Sequence, residues 1–281
     1  RSPHQLVMTA TPIPRTLSLT IFGDLDVSVI DELPPGRTPV ATSTVGRAAA
    51  EGIYEDIATR VRDGERAFIV VPVIDESELG LTDLRSHVEM LANGPLRTCR
   101  LEAMHGRLDQ VERDDVMDRF RSGELDVIVA TTVIEVGVDV PEATIMVIEN
   151  ADRFGLAQLH ELRGRVGRGE RAGRCVLIAD TSTDEGRMRL AAMVDTTDGF
   201  RIAERDLAIR GPGELFGSKQ SGLPPFRIAA LPRDMELLAL ARRDAEEWIM
   251  RDPLLTQPEH ALLRTRLLKA HGKWLGLGDV G

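Results

Sequence analysis

Three arginines crowd the end of a predicted helix, and their spacing suits the binding of a phosphate. Residues 155–168 carry leucine and valine at spacings of three or four, which predicts a helix with one apolar face. Arg163, Arg165 and Arg168 lie at its C-terminal end, where like charges repel unless an anion or a carboxylate balances them. An arginine guanidinium is always charged and presents a planar fork of donors, so it can meet a developing phosphoryl charge. The arginines alone leave open a second interpretation, a solvated basic helix end that complements the helix dipole.

The elements that must position this helix predict a parallel sheet. Three short runs rich in valine and isoleucine are bounded by glycine, proline or aspartate and are typical of buried strands: residues 126–131, 144–149 and 174–179. Continuous apolar runs of this kind suit a parallel sheet that is covered on both faces. The first run ends in Thr131 and Thr132. Hydroxyls at the carboxyl end of a parallel strand point into the crevice where α/β sheets bind ligands, so a ligand is predicted there.

Two motifs of the superfamily 2 helicases and translocases resemble this region. TTVIEVGVDVP, at residues 131–141, is similar to motif V, and QLHELRGRVGRG, at residues 158–169, is similar to motif VI. In that family, motif V touches nucleic-acid backbone and nucleotide, while motif VI supplies arginine fingers to ATP held by the other motor domain. The resemblance implies that Arg165 and Arg168 face the γ-phosphate and that Gln158 helps to organise the site.

The same resemblance implies further contacts to nucleotide and to nucleic acid. It assigns Gly137 and Asp139 to nucleotide binding, and Thr131 and Thr132 to the phosphate backbone of nucleic acid. The family's segment that matches MHGR approaches the same backbone, so Arg107 is a further expected phosphate contact. The histidine in that segment has a second interpretation as a structural residue that follows a strand.

Two segments near the N-terminus extend the resemblance. VMTATPIPRTL, at residues 7–17, is similar to motif III, which ends the first motor domain and couples nucleotide state to strand movement. This similarity assigns Thr9 and Thr11 to coupling. DLDVSVIDELPPGR, at residues 24–37, looks like the linker of the RecG family of bacterial fork-remodelling helicases. It is less similar to the related Mfd family of transcription-repair coupling factors.

Strands and helices alternate between residues 38 and 120, which predicts a parallel sheet with right-handed crossovers. The predicted strands are residues 38–45, 67–73 and 97–102, and the predicted helices are residues 47–62, 81–92 and 109–120. Asp109 and Glu112 predict a capping box at the start of the last helix. Carboxylates after the second strand, at positions 75, 76 and 78, could suggest a metal site. Neighbouring ligands cannot all converge without a specialised turn, so a solvated loop is predicted and no metal.

Helices and an irregular loop follow residue 180. Ser182 and Glu185 predict a capping box for a helix through residue 194, and residues 198–209 predict a second helix. GFRIAERDLAIRGPGELFGSKQSGLP, at residues 199–224, looks like the TRG motif, a helical hairpin and loop that converts motor movement into duplex translocation. The residues that this resemblance assigns to coupling are Arg189, Arg205, Arg210 and Gln220. The alternative is a structural cap on the domain. A dinucleotide-binding loop is not favoured, because the glycines there follow a helix and enclose a proline.

Composition excludes several classes of protein. The 281 residues carry a formal net charge of −10, so nucleic-acid binding must be local and cannot involve the whole surface. Cys99 and Cys175 have no CxxC or histidine spacing and are predicted to be small buried residues in a reducing cytosol. No apolar stretch approaches the roughly 20 residues of a membrane span, and no signal-peptide pattern begins the chain.

The fold class expected from these patterns and the resemblance is α/β. It comprises a RecA-like parallel sheet flanked by helices, which is the second helicase motor domain, followed by a mostly helical C-terminal region. The expected divisions are the end of the first RecA-like motor domain with the linker (residues 1–37), the second motor domain (38–181), the TRG hairpin and loop (182–232) and the C-terminal helices (233–281).

The resemblance implies an ATP-dependent double-stranded DNA translocase that remodels stalled forks and migrates Holliday junctions in recombination and repair. Its cofactors are ATP and Mg²⁺, and the magnesium ligands are expected in the first motor domain. This chain has no GxxxxGK[ST] loop and no DExH strand, so alone it is expected not to hydrolyse ATP. Expected partners are branched DNA, the first motor domain and an upstream wedge domain, in a monomer associated with the bacterial nucleoid. Two alternatives stay open, an Mfd-like translocase and a non-enzymatic module that binds DNA or a protein partner.

Overall fold

The structure, a computed structural model, describes residues 38–72, 78–131, 140–210 and 235–271, together with residues 6, 8, 28 and 30. The described residues up to 210 belong to one compact unit, and residues 235–271 belong to a second. No helix within these ranges is both long enough and apolar enough to cross a membrane.

The first unit is built on a six-stranded sheet in which every neighbouring pair is parallel. Its strands are β1 (Ala41–Val45), β2 (Arg66–Val70), β3 (Leu101–Met104), β4 (Val127–Ala130), β5 (Ala143–Glu149) and β6 (Arg174–Ile178). Their order across the sheet is β1-β6-β5-β2-β4-β3, so β5 and β2 lie at the centre. The predicted parallel sheet is confirmed.

Helices cover both faces of this sheet. They are α1 (Ala50–Arg62), α2 (Glu78–Asn93), α3 (Gln110–Ser122), α4 (Leu156–Arg163), α5 (Asp184–Asp195) and α6 (Gly199–Arg210). Phe68 and Val70 of β2 join a core with the apolar sides of α3 to α6. Ala67 and Ile69 join a separate core with α1 and α2. Because successive strand residues point to opposite faces, two-sided burial explains why these strands are continuously apolar.

Local capping chemistry explains where the helices begin, with one correction. In α3, Asp109 and Glu112 form the predicted capping box, each backbone N–H donating to the other side chain at 2.8 and 2.9 Å. The capping box predicted for α5 at Ser182 and Glu185 is wrong. Thr183 caps that helix instead, accepting a 3.1 Å hydrogen bond from the Gly186 backbone N–H. Glycine suits that position because a Cβ there would overlap the Thr181 hydroxyl and lie 2.9 Å from the Thr183 hydroxyl.

The third strand also differs from its prediction. Residues 97–102 were expected to be extended, whereas β3 begins only at Leu101. The preceding residues turn back on themselves, with the Leu96 N–H donating to Leu91 O and the Cys99 N–H donating to Leu96 O. The strand then starts where Leu101 pairs with Val127 of β4. Available pairing partners, and not local propensity, decide its first residue.

In the described part of the second unit, residues 235–271, two α-helices are present, α7 (Met235–Arg251) and α8 (Ala261–His271), within the region where C-terminal helices were expected. Asp252 directly follows α7 and accepts hydrogen bonds from the Gln257 backbone N–H at 2.9 Å and from His260 Nδ1 at 2.8 Å. These bonds lower the pKa of Asp252 from its ordinary value. The apolar side chains that the structure describes on these helices are largely exposed, and Leu237 and Leu262 each expose more than 60% of their surface.

Candidate functional site

The predicted basic helix is shorter than its sequence pattern, and its end forms a tight turn. α4 stops at Arg163 instead of continuing to Arg168. The chain then reverses through residues 164–168, here called the arginine turn. The Arg165 N–H donates to Leu162 O at 3.0 Å, and the Gly167 N–H donates to Ala143 O at 3.1 Å. The turn is therefore attached to both the helix and the first residue of β5.

Close backbone packing holds the arginine turn in place. Gly167 has a φ of +68°, in the left-handed region that glycine adopts without penalty. A Cβ on Gly167 would lie 2.9 Å from Gly173 Cα, and one on Gly169 would lie 2.7 Å from Pro141 O. These distances leave no room for a side chain. The glycines therefore let the turn pack directly against the neighbouring backbone.

The structure separates the three predicted arginines into two kinds. Arg168 is exposed and its Nε donates to Gly164 O at 3.3 Å, while Arg165 is half-buried. Arg163 is only 3% exposed, so it does not present its charge to solvent. Burial lowers the pKa of Arg163 from its ordinary value, although the group stays charged. Arg165 and Arg168 remain the candidates for contact with an anion.

Gln158 lies at the opposite end of α4. Its Oε1 accepts a 3.2 Å hydrogen bond from the Gly155 backbone N–H, which satisfies one of the unpaired donors at the start of a helix. This contact gives Gln158 a structural function in beginning the helix. Its predicted function in organising a nucleotide site stays a prediction.

Thr131 and the MHGR segment lie at the carboxyl ends of the strands, here called the carboxyl edge of the sheet. The arginine turn lies at the amino ends of the strands, here called the amino edge. Thr131 follows β4, and its N–H donates to O of Met104, the last residue of β3, at 3.1 Å. The arginine turn meets Ala143, the first residue of β5. Strands of four to seven residues separate the two edges, which corresponds to about 13–23 Å at about 3.3 Å per residue. The contacts predicted for these two regions would therefore lie at opposite edges of the sheet.

The carboxyl edge carries exposed positive charge on a well-supported loop. Arg107 is exposed there. Arg113 braces the loop from α3, with Nε donating to Leu108 O at 2.8 Å and Nη2 donating to Gly106 O at 3.3 Å. His105 is buried, and burial together with the charges of Arg85 and Arg107 lowers its pKa. A neutral, buried His105 fits the structural alternative, and Arg107 stays the predicted phosphate contact.

Sequence reasoning missed a polar cluster at the carboxyl end of β5. Glu149 accepts hydrogen bonds from the Tyr54 hydroxyl at 2.5 Å and from His87 Nε2 at 2.8 Å. Burial and the Glu149 charge raise the pKa of Tyr54 far above its ordinary value. The cluster joins α1 and α2 to the central strand. A carboxylate that ends an otherwise apolar strand was the available signal, but no sequence spacing connects it to its two partners.

Three of the predicted coupling residues lie on the pair of helices α5 and α6, which pack against α4. Arg189 Nη2 donates to Asp152 O at 3.0 Å, just before α4. Arg205 forms a 2.7 Å ion pair with Asp195, and Arg210 forms a 3.0 Å ion pair with buried Asp206. The other predicted site residues lie outside the described part of the chain: Thr9, Thr11, Thr132, Gly137, Asp139 and Gln220.

Within the described ranges, no three histidine, cysteine, aspartate or glutamate side chains are grouped so that they could hold a metal ion. The predicted carboxylate loop at positions 75 and 76 lies outside those ranges, and the side chain at position 78 is likewise not described.

Comparisons with known proteins agree on one family. Residues 50–170 match the helicase conserved C-terminal domain, and residues 196–275 match the C-terminal part of domain 3 of the ATP-dependent DNA helicase RecG. Proteins called ATP-dependent DNA helicase RecG are 49% identical in Synechocystis sp. and 51% identical in Thermotoga maritima, over 99% and 86% of this chain. The chain spans 33% and 31% of those two proteins, or about a third of their length.

A solved structure agrees with these relatives. The structure of RecG bound to a three-way DNA junction is 48% identical, with a TM-score of 0.64 over 82% of this chain and 30% of that one. The six-stranded parallel sheet with helices on both faces is thus the RecA-like fold of a helicase C-terminal motor domain. The predicted fold class is confirmed, whereas the predicted domain divisions stay predictions.

Proposed function

Since this chain belongs to the RecG family of ATP-dependent DNA helicases, we propose that the protein containing it is an ATP-driven double-stranded DNA translocase that remodels branched DNA. The chain would supply the second motor domain and the helices that follow it. One observation carries the proposal. A turn bearing Arg165 and Arg168 is packed against the amino edge of the sheet, while Arg107 and Thr131 lie at the carboxyl edge.

The arginine turn suits contact with the γ-phosphate of ATP. Its two arginines stand on a backbone that already packs closely at Gly167 and Gly169, so ATP binding would require little ordering of the turn. ATP and Mg²⁺ would be held by the first motor domain, and the bound ATP would supply the phosphoryl group that is transferred to water. Arg165 and Arg168 would donate to the charge that develops on the γ-phosphate oxygens, as arginine fingers do.

The carboxyl edge suits contact with the DNA backbone. Arg107 offers an exposed charge on a braced loop, and Thr131 stands beside it at the ends of β3 and β4. Phosphate contacts position a protein without reading sequence. They suit a translocase that must step along any duplex. The net charge of −10 confines such binding to a local surface of this kind.

The substrate and the other partners are part of the same proposal. A relative has been solved on a three-way DNA junction, which supports branched DNA, including forks and Holliday junctions, as the substrate here. We assign the magnesium ligands to the first motor domain and the splitting of the junction to a wedge domain, in a monomeric protein that acts at the nucleoid. The named relatives at 49% and 51% identity do not favour transcription-repair coupling or a non-enzymatic module.

ATP hydrolysis and fork reversal by the full-length protein test this function. We expect ATP turnover that rises on addition of forked duplex DNA, together with conversion of a labelled fork into reversed products. Linear duplex of the same length is the control for branch preference. The proposed function would be refuted if ATP hydrolysis by the wild-type protein did not rise on addition of DNA, or if ATP were hydrolysed without any conversion of the fork.

A further inference from the structure

Arg163 has surroundings unlike those of an anion-binding arginine. Its guanidinium Nη1 donates to Met193 O at 2.8 Å and to Thr196 O at 2.9 Å. Both carbonyls lie at the C-terminal end of α5, where helix carbonyls lack partners within the helix. α5 has no basic residue in its own last turn. Arg163 thus caps the end of another helix, and its buried charge faces the negative end of that helix dipole.

A second contact fixes the orientation of the guanidinium plane. Nη2 of Arg163 lies 2.8 Å from His160 Nδ1. Because a guanidinium has only donors, Nδ1 accepts this hydrogen bond and the imidazole carries its hydrogen on Nε2. The fork is therefore held at both ends, by His160 within α4 and by carbonyls of α5. A lysine could not reproduce this arrangement, since its ammonium group is a point charge without a planar fork.

The position of Arg163 in the chain connects this cap to the proposed ATP contact. It is the last residue of α4 and stands two residues before Arg165. Two attachments flank the arginine turn, the Arg163 cap on α5 before it and the bond from the Gly167 N–H to Ala143 O within it. Loss of the first attachment would remove the hydrogen bonds that join the end of α4 to α5, so the end of α4 could shift slightly against α5.

We propose that Arg163 is a positioning residue that aligns Arg165 and Arg168 by anchoring the end of α4 to the C-terminal carbonyls of α5. This inference rests on the proposed function. It removes Arg163 from the set of phosphate-binding arginines that the sequence suggested. It also makes α5 a support for the ATP-side turn, so that the orientation of the turn depends on a helix outside the nucleotide motif.

The test uses the full-length protein and a double-mutant cycle. Arg163→Gln keeps polarity but removes the charge and the fork. We expect kcat for DNA-stimulated ATP hydrolysis to fall about 10- to 100-fold with KM for ATP little changed, because a displacement near 1 Å is enough to cost about 100-fold. In an Arg168→Ala background, the same change should lower single-turnover hydrolysis by less than about twofold, because residues that act as a unit are not additive.

A merely structural function predicts a different pattern. In that case, Arg163→Gln would lower hydrolysis by the same factor in both backgrounds, and this result would overturn the proposal. If Arg163→Gln fails to fold, Arg163→Lys serves instead, because it keeps the charge against the α5 dipole. We expect Arg163→Lys to melt near the wild-type temperature with kcat reduced several-fold, and wild-type kcat in that variant would overturn the proposal. Absence of DNA-stimulated hydrolysis in the wild-type protein would instead refute the proposed function.

Discussion

The close packing of Gly167 against Gly173 makes Gly167→Ala the sharpest test of a preorganised arginine turn. The new Cβ would lie 2.9 Å from Gly173 Cα, 3.1 Å from Gly173 N and 3.2 Å from Val40 Cγ2. Two of these three atoms are backbone, so a rotamer change cannot relieve the contact. Gly64→Ala is a matched control, because Gly64 has a φ of +83° and a Cβ there would meet nothing within 4 Å.

The two variants share one energetic cost and differ in another. Left-handed backbone costs alanine about 1–2 kcal/mol, and the stiffer unfolded chain returns about 0.4–1 kcal/mol. Gly64→Ala should therefore lower the free energy of unfolding by about 0.5–1 kcal/mol. Gly167→Ala adds steric overlap, which typically costs about 1–3 kcal/mol. We expect the two variants to differ by about 2 kcal/mol, or by roughly 4–8 °C in thermal midpoint.

Activity separates the two variants further. If backbone shifts relieve the contact, Arg165 and Arg168 move, and kcat for ATP hydrolysis by the full-length protein should fall about 10- to 100-fold. Gly64→Ala should stay within about twofold of wild type. Affinity for forked DNA, measured by fluorescence anisotropy, should be unchanged in both variants because the carboxyl edge is separate. Equal midpoints and equal kcat for the two variants would refute the idea that packing preorganises the turn.

Four further predictions address other parts of the chain. Arg168→Ala in the full-length protein should reduce kcat by about 10³- to 10⁵-fold while DNA affinity is retained; a normal ATPase rate would exclude Arg168 as an arginine finger. Thr132→Val deletes a hydroxyl, so DNA binding in titrations should weaken equally across sequences; a loss confined to particular sequences would contradict a backbone contact. Gln220→Ala should abolish fork reversal but keep DNA-stimulated ATPase and wild-type melting, since its amide can both donate and accept in the predicted coupling loop; parallel loss of ATPase and stability would argue for a structural function. Asp252→Asn should lower the melting temperature at neutral pH. Because the pKa of Asp252 is lowered in the folded state, its charge stabilises the fold fully above the unfolded pKa of about 3.9, and this effect declines as pH falls through the folded pKa. The difference from wild type should therefore shrink below about pH 4; a difference independent of pH would show that the charge of Asp252 is not involved.

The sequence by itself determined most of the stretches that form strands and helices, and how α3 begins. Hydrophobic runs buried on both faces have to be continuously apolar, so β4, β5 and β6 could be recognised before any contact was known. The Asp109 capping box depends on neighbours three residues apart, and such local chemistry is visible in the chain itself. The resemblance in the two motifs likewise depends on residues that follow one another directly.

Tertiary structure decided what each charged side chain does. Charge and spacing alone do not distinguish Arg163 from Arg165 and Arg168. Arg163 is buried because the end of α5 presents carbonyls 30 and 33 residues further along the chain. The sequence of α4 gives no indication that these carbonyls of α5 are the partners of Arg163. The partners of Glu149 are likewise distant in sequence, since Tyr54 lies 95 residues and His87 lies 62 residues from it along the chain.

Strand direction also decided where the two predicted contact regions lie. Motif spacing placed Thr131 after one strand and the arginines after a helix, but it could not show that these positions occupy opposite edges. That separation follows because β4 ends at the carboxyl edge, while α4 carries the chain back until the Gly167 N–H meets the first residue of β5. Local sequence specifies a helix and its apolar face, whereas only packing against distant elements specifies the edge at which the helix ends.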